Sequence, residues 1–153
     1  MRRLNGVDAL MLYTETPEIH MHTLKIGVLD VSGVDGGYSF DLTRISTGQL
    51  DAYVEPGPRM IADVPALRAE FERVGGGAVL NNSPYDLAAA VLCLEQAGAV
   101  VSDAYGRDLG DRPLLASNPE FQMSCVAAAN RELHSQLCAA VDSGIDRLVR
   151  EVD

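Results

Sequence analysis

One carboxylate stands out by its place on a strongly predicted helix. Ser83 suits the N-cap of this helix, Pro84 suits its first position, and Gly98 stands just beyond its end. Residues 87–94 contain no polar side chain, so the helix should be buried, with Asp86 in its first turn at the rim of a core. Asp86 could simply complement the positive end of the helix dipole, or it could bind a cation.

A second carboxylate, Glu55, ends a short predicted strand just before Pro56-Gly57. The order of the stretches around Glu55 and Asp86, followed by Glu95-Gln96-Ala97-Gly98 and Asp103-Ala104-Tyr105-Gly106, resembles the C-terminal half of the inositol monophosphatase family. The resemblance runs from about residue 42 to 148. It implies that Asp86 binds a catalytic magnesium ion and that Glu55 holds a substrate hydroxyl. Tyr85 stands where that family usually has Trp.

The start of the chain is similar to another family. Residues 1–13, followed by Glu15-Thr16-Pro17 and Met21-His22, resemble the opening helix and strand of the wax ester synthase/diacylglycerol acyltransferase family. We therefore predict an acyltransferase-like segment over residues 1–40 and a phosphatase-like subdomain over residues 42–153. Two unrelated resemblances in one short chain suggest a fusion or a rearranged reading frame.

Each resemblance lacks its family's main motif. The acyltransferases use a His-His-x-x-x-Asp-Gly motif whose His is a general base, and this chain has no His-His pair. The phosphatases use an Asp-Pro-x-Asp-Gly-Thr run that supplies further metal ligands, and residues 1–49 do not contain it; Val34-Asp35-Gly36-Gly37 is better explained as a turn. Because a magnesium site needs oxygens from several residues, we expect weak or absent Mg²⁺ binding and little or no turnover.

Three functional hypotheses remain open. The resemblance favours a magnesium-dependent phosphomonoesterase (a hydrolase) acting on a small phosphorylated polyol, such as a sugar or inositol phosphate, with another chain supplying the missing ligands. The alternative is a non-catalytic remnant that self-associates as a homo-oligomer through an exposed apolar face. A fragment of a wax ester synthase/diacylglycerol acyltransferase ranks third.

Composition fits a globular domain. The chain has 153 residues, 47% hydrophobic and 22% charged, which is enough for one core. A net charge of −10 argues against nucleic acid as a partner. No segment reaches the ~18–20 apolar residues that span a bilayer. Arg2 and Arg3 precede an apolar stretch that Asp8 and Glu15 interrupt, so we predict no signal peptide and a cytoplasmic location.

The coarse pattern predicts an α/β fold, a mixed sheet with packed helices resembling the C-terminal half of the phosphatase fold. Predicted strands cover residues 24–28, 52–55, 99–102 and 123–128. Predicted helices cover residues 6–13 and 42–47, a segment capped by Asp63, the Asp86 helix, and a long final helix capped by Asn130.

The remaining chemistry-bearing residues give weaker signals. His20 and His22 fall on one face of an extended segment, but no third ligand has suitable spacing. His134 is predicted to face solvent. The three cysteines, Cys93, Cys125 and Cys138, lie in apolar patterns, which favours buried free thiols.

Overall fold

The fold is a mixed four-stranded sheet with helices on both faces. A computed structural model describes residues 26–28, 38–110, 113–115 and 118–152. The strands β1 (Ile26–Val28), β2 (Ala52–Glu55), β3 (Val100–Ser102) and β4 (Cys125–Ala128) lie in the order β1-β2-β4-β3 across the sheet. Strand β2 runs parallel to β1 and antiparallel to β4, and β4 is also antiparallel to β3. The predicted α/β class, with a mixed sheet and packed helices, is confirmed.

The described strands are short and the helices vary in length. The helices are α1 (Tyr38–Ser46), α2 (Gly57–Asp63), α3 (Arg68–Val74), α4 (Pro84–Gln96) and α5 (Arg131–Val152). Short 3₁₀ turns cover Pro65–Leu67 and Pro119–Phe121.

Each face of the sheet has its own apolar cluster. Residues 52, 54, 126 and 128 pack with the inner stripe of α5 and with Met60 of α2. Residues 53, 125 and 127 pack with Leu42 of α1 and with the inner side of α4. Successive side chains of a strand point to opposite faces, so every described residue of β2 and β4 is buried. The two central strands therefore hold the described core together.

Helix α4 begins and ends as predicted. The Ser83 side chain accepts a hydrogen bond from the backbone of Asp86, and the Asp86 side chain accepts one from the backbone of Ser83, which forms a capping box. After the helix ends, Gly98 adopts a φ of +84°, a conformation that favours glycine. Local capping chemistry is enough to set both ends of this helix.

The region after β2 differs from the prediction. We expected Asp63 to begin a helix, whereas Asp63 ends α2, and a 3₁₀ turn separates α2 from α3. Pro65 explains the break, because the residue before a proline is disfavoured in the helical conformation; Val64 adopts φ −131° and ψ 77°. The chain therefore forms two short helices where we expected one, and the first of them, α2, carries Arg59.

The final helix starts where the sequence indicates. The Asn130 side chain accepts a 2.9 Å hydrogen bond from the backbone nitrogen of Leu133, as an N-cap should. The 22-residue helix continues through Gly144. Its buried residues recur at helical spacing, which explains how it packs against β2, β3 and β4 on one face of the sheet.

Some predictions fall outside the described part of the chain. The helix at residues 6–13 and the residues His20 and His22 lie there, and no finding tests the predicted boundary near residue 41. Within the ranges that are described, no helix is both long and apolar enough to cross a bilayer. The cytoplasmic location and homo-oligomeric state stay predictions.

Candidate functional site

Glu55 is buried at the end of β2. Its side chain is 2% exposed, and its Oε1 atom accepts a 2.8 Å hydrogen bond from the backbone nitrogen of Gly57. Burial raises the pKa of Glu55 from 4.5 to about 8, and the Gly57 hydrogen bond opposes this shift only in part. The Asn82 amide lies 3.5 Å from Oε2, too far for a strong hydrogen bond. Glu55 is therefore a neutral carboxylic acid near pH 7.

A chain of amides beside Glu55 fixes the orientation of Asn81. The side chain of Gln122 donates to the Val79 carbonyl at 2.9 Å, so its oxygen is left to accept from Asn81 at 3.2 Å. Asn81 Oδ1 is consequently turned away from Gln122 and is buried without a partner among the described groups. Both Asn81 Oδ1 and Glu55 Oε1 lie against Gly57. A neutral Glu55 avoids placing a negative charge beside this unpaired oxygen.

Asp86 lies in a different setting. Its Oδ2 atom accepts a 2.8 Å hydrogen bond from the backbone nitrogen of Ser83, and the side chain is partly exposed. Glu55 and Asp86 both contact the loop that precedes α4. The Asn82 side chain faces Glu55, and the backbone of the next residue, Ser83, donates a hydrogen bond to Asp86. Neither carboxylate lines the two cavities described below. The substrate-binding role of Glu55 and the metal-binding role of Asp86 stay predictions.

The described ranges contain no group of three or more His, Cys, Asp or Glu side chains that could hold a metal ion. The described residues thus do not fit the magnesium centre that the phosphatase resemblance implies. The expectation of weak or absent Mg²⁺ binding stays a prediction.

A hydroxyl and an imidazole form a pair that joins β3 to α5. Oγ of Ser102, the last residue of β3, lies 2.8 Å from Nε2 of His134, in the first turn of α5. The same hydroxyl lies 2.7 Å from the Asp103 carbonyl. Because a serine hydroxyl has one proton, it can serve only one of these two acceptors at a time. A neutral His134 with its proton on the other ring nitrogen can accept that proton.

The surroundings of His134 keep it neutral. Burial lowers the pKa of His134, the nearby positive charge of Arg131 lowers it further, and a backbone hydrogen bond with Val126 opposes both effects. The Cys138 sulfur lies 3.9 Å from both ring nitrogens, so it does not point along the lone pair of either. Burial also raises the pKa of the Cys138 thiol. His134 therefore has the properties of a base, whereas Cys138 stays protonated.

A cavity opens beside this pair. Its volume is about 570 Å³, within the range of small-molecule sites. It is open to solvent, and Arg131, Asp108 and Asp142 add charges to its lining. Ser102 and His134 both line it, together with Cys138, although Ser102 is 3% and His134 is 8% exposed. The pair thus forms part of the cavity wall, and only a small fraction of each residue is exposed.

The prediction that His134 faces solvent is wrong. His134 lies at helical spacing from Cys138, Val141 and Ile145. These residues form the stripe of α5 that faces the sheet. This helical spacing was the sequence signal that could have predicted the burial of His134.

The prediction of buried free thiols holds for Cys125, which is buried, and is wrong for Cys93, which is exposed on α4. Cys138 has intermediate exposure.

A smaller cavity of about 110 Å³ is lined by Arg59, Tyr105 and Arg107. The Tyr105 ring lies between the two guanidinium groups, whose central carbons are 4.4 and 4.2 Å from the ring centroid. Both arginines are bound by carboxylates, Arg59 by Asp63 and Asp142 and Arg107 by Asp103. With both positive charges neutralised, this cluster is better suited to joining elements than to binding an anion.

Comparisons with known proteins give partial matches. No family model matches the sequence, and no solved structure matches it. One Mycobacterium tuberculosis protein, provisionally named as a diacylglycerol O-acyltransferase, is 41% identical over 66 residues, which are 42% of this chain and 14% of that protein. Another with the same provisional name is 57% identical over 44 residues, or 29% of this chain and 9% of that protein. The chain thus matches only a small part of these curated relatives.

These relatives correct the functional prediction. They support the acyltransferase-like part of the sequence analysis, and nothing in the comparisons supports the inositol monophosphatase part. The predicted magnesium-dependent phosphatase function, with its hydrolase, phosphatase and magnesium assignments, conflicts with the names of the relatives and is wrong. That prediction assigned a substrate contact to Glu55 and a metal contact to Asp86, but the local structure accounts for the contacts of both residues. Asp86 completes a capping box, and Glu55 is a buried neutral acid.

Proposed function

We propose that the chain takes part in acyl transfer to a hydroxyl group, and that Ser102 and His134 perform it at the 570 Å³ cavity. The observation that carries this proposal is the 2.8 Å approach of Ser102 Oγ to His134 Nε2. A hydroxyl within hydrogen-bond reach of a neutral imidazole is the usual arrangement of an activated serine nucleophile. The names of the relatives support the same reaction class.

The proposed reaction has two steps. In the first, His134 Nε2 takes the Ser102 proton while Oγ attacks the carbonyl carbon of an ester or thioester donor; the leaving group departs with that proton, and Ser102 is acylated. In the second, His134 removes the proton of an acceptor alcohol, whose oxygen attacks the acyl-serine. The new ester leaves, and the proton returns to Ser102 Oγ.

The lowered pKa of His134 supports its role as a base. An imidazole that is protonated at neutral pH cannot accept the serine proton, and burial with the Arg131 charge disfavours that state. Because Arg131, Asp108 and Asp142 also line the cavity, polar groups of a donor or acceptor would find partners at its mouth.

A second candidate function is structural. Ser102 is 3% exposed and its hydroxyl also lies 2.7 Å from the Asp103 carbonyl, so the pair could serve only to fasten α5 to the edge of the sheet. This agrees with the non-catalytic alternative of the sequence analysis. The two candidates differ in one measurable property, the reactivity of the Ser102 oxygen.

Reaction of the full chain with p-nitrophenyl acetate tests whether Ser102 is a nucleophile. The release of p-nitrophenol is followed over time, and peptide mass mapping then locates the acetyl group. We expect a burst that approaches one equivalent and an acetyl group on Ser102. Ser102→Ala and His134→Gln should abolish the burst. Ser124→Ala, which removes another buried hydroxyl that accepts a hydrogen bond from the Ala104 backbone nitrogen, should retain it.

The possible outcomes separate the two candidates. Acetylation of Cys138 alone, or no burst in a chain that melts cooperatively, would contradict the acyl-transfer proposal. A proton NMR titration gives an independent check on the base. The His134 ring should titrate below 6.5 in the folded chain and shift towards 6.5 when urea unfolds it.

A further inference from the structure

Helix α4 carries an apolar stripe on its outer side. Its inner side is buried against the sheet and α1 through Leu87, Ala90 and Leu94. On the opposite side, Tyr85 is 50% and Leu92 is 59% exposed. The stripe consists of exposed residues at positions i, i+3, i+4, i+7 and i+8, which share one helix face: Tyr85, Ala88, Ala89, Leu92 and Cys93. We call this set the outer stripe.

Four of the five residues of the outer stripe are spaced symmetrically, and Cys93 is the exception. Two large side chains, Tyr85 and Leu92, stand at its ends, and two small ones, Ala88 and Ala89, form a hollow between them. The midpoint between positions 85 and 92 falls between the two alanines. In an antiparallel pair of such helices, Tyr85 of one copy lies opposite Leu92 of the other, and the alanines meet on the two-fold axis. A surface with this pattern complements itself, as a two-fold interface requires.

The charge of the outer stripe favours the same partner. The whole chain carries a formal charge of −10, so two copies repel each other over most of their surfaces. No charged residue lies among the five residues of the stripe. A second copy can approach there without placing like charges in contact, whereas a partner of opposite charge would find nothing on the stripe to bind.

We propose that the outer stripe of α4 is the contact surface of a reversible homodimer, in which two α4 helices pack antiparallel about an axis through Ala88 and Ala89. Small residues at the axis allow the two helices to approach closely, at the ~8–10 Å separation of packed helices. Stable interfaces bury at least about 1,000 Å² in total, more than a two-turn stripe contributes. The dimer should therefore be concentration-dependent. This inference is independent of the proposed acyl transfer.

Sedimentation velocity over a concentration series tests the dimer. We expect the wild-type chain to shift from monomer to dimer as its concentration rises, and to dimerise more tightly in high salt, since salt screens the repulsion between copies. Leu92→Glu should remove the dimer, and its melting temperature should equal that of wild type at concentrations low enough for both chains to be monomers. Leu114→Glu, the same substitution at a comparably exposed leucine outside α4, should leave the dimer intact.

A cross-linking variant tests the geometry. Ala89→Cys in a Cys93→Ala background should form an intermolecular disulfide under mild oxidation, since position 89 lies next to the axis. Wild-type Cys93 should not link, because it lies far from its copy in this arrangement. Preferential linking through Cys93 would overturn the antiparallel register.

Other outcomes would overturn the proposal as a whole. These are a monomer at every concentration, or equal loss of the dimer in Leu92→Glu and Leu114→Glu. If the wild-type chain instead stays monomeric and binds neutral phosphatidylcholine vesicles, and Leu92→Glu does not, a lipid surface and not a second copy covers the stripe.

Discussion

The backbone nitrogen of Gly57 donates a 2.8 Å hydrogen bond to Glu55 Oε1, and Gly57 lies so close to this carboxyl group that a Cβ atom at position 57 would force a neighbouring side chain to shift. That Cβ atom would come within 2.6 Å of Glu55 Oε1 and would clash with Asn81 Oδ1 as well. The requirement for glycine at this position therefore comes from its neighbours and not from a left-handed backbone.

The first prediction concerns this glycine. Gly57→Ala should destabilise the chain by about 1–3 kcal/mol, the usual cost of forcing extra atoms into a packed site. The midpoint of urea unfolding measures the effect. Combining it with Asn81→Ala, which removes the nearest atom, should recover part of the loss, because the two positions are in contact. Strictly additive effects would mean that Asn81 does not restrict position 57.

The second prediction concerns the pH dependence of stability. The pKa of Glu55 is about 8 in the folded chain against 4.5 when it is solvated, so the folded state holds a proton that the unfolded state has released in this window. The contribution of Glu55 to stability is thus fully present below pH 4.5 and is lost as pH rises towards 8. Near the middle of this window the slope from this one group should be about −1.4 kcal/mol per pH unit.

Glu55→Gln isolates this effect. The amide keeps the shape of the neutral acid and cannot ionise, so the variant should lose this negative slope and be more stable than wild type near pH 8. Glu95→Gln, at an exposed position of α4, is the control and should keep the wild-type slope. The measurement is urea unfolding at a series of pH values. Parallel curves for wild type and Glu55→Gln would contradict the burial of an ionisable Glu55.

The third prediction concerns Arg59, which joins α2 to α5 and to the turn after β3. Its Nη1 atom donates to the Ala104 carbonyl at 2.6 Å and to Asp142 at 2.5 Å, and its side chain is 10% exposed. Arg59→Met should cost about 1.5–3 kcal/mol, the range for hydrogen bonds that involve a charged group. Chemical unfolding of the variant measures the loss.

Arg68 provides the matched control for Arg59. Its ion pair with Glu72 spans 3.9 Å between side chains that are 53% and 46% exposed, so Arg68→Met should change stability by about 0–1 kcal/mol. Similar losses in the two variants would mean that Arg59 acts as an ordinary surface residue.

Helix α4 shows how much the sequence predicts. Its cap at Ser83, its proline at Pro84 and its stop at Gly98 act within one turn of the chain, so the boundaries follow from local chemistry. The alternation of apolar segments similarly indicated the α/β class. The extra break at Pro65 carried a local signal too, but the apolar spacing on either side of it suggested one continuous helix.

The candidate site was less predictable. Ser102 and His134 are 32 residues apart in the sequence, and their contact exists because α5 packs across the sheet with its first turn at the end of β3. A polar residue in the first turn of a helix is usually exposed, and only the apolar spacing through Cys138 and Val141 indicated otherwise.

The sequence by itself determined the caps of α4 and α5, the class of the fold, the acidic charge and the partial similarity to acyltransferases, because each of these depends on residue type or on neighbours within a few positions. Only the tertiary structure decided that Glu55 is neutral, that a Cβ atom at position 57 would clash with its neighbours and that His134 faces Ser102. Packing of elements that are distant in sequence removes water from Glu55 and His134 and places Asn81 against Gly57. Desolvation depends on which elements cover a residue, and a linear pattern does not contain that information.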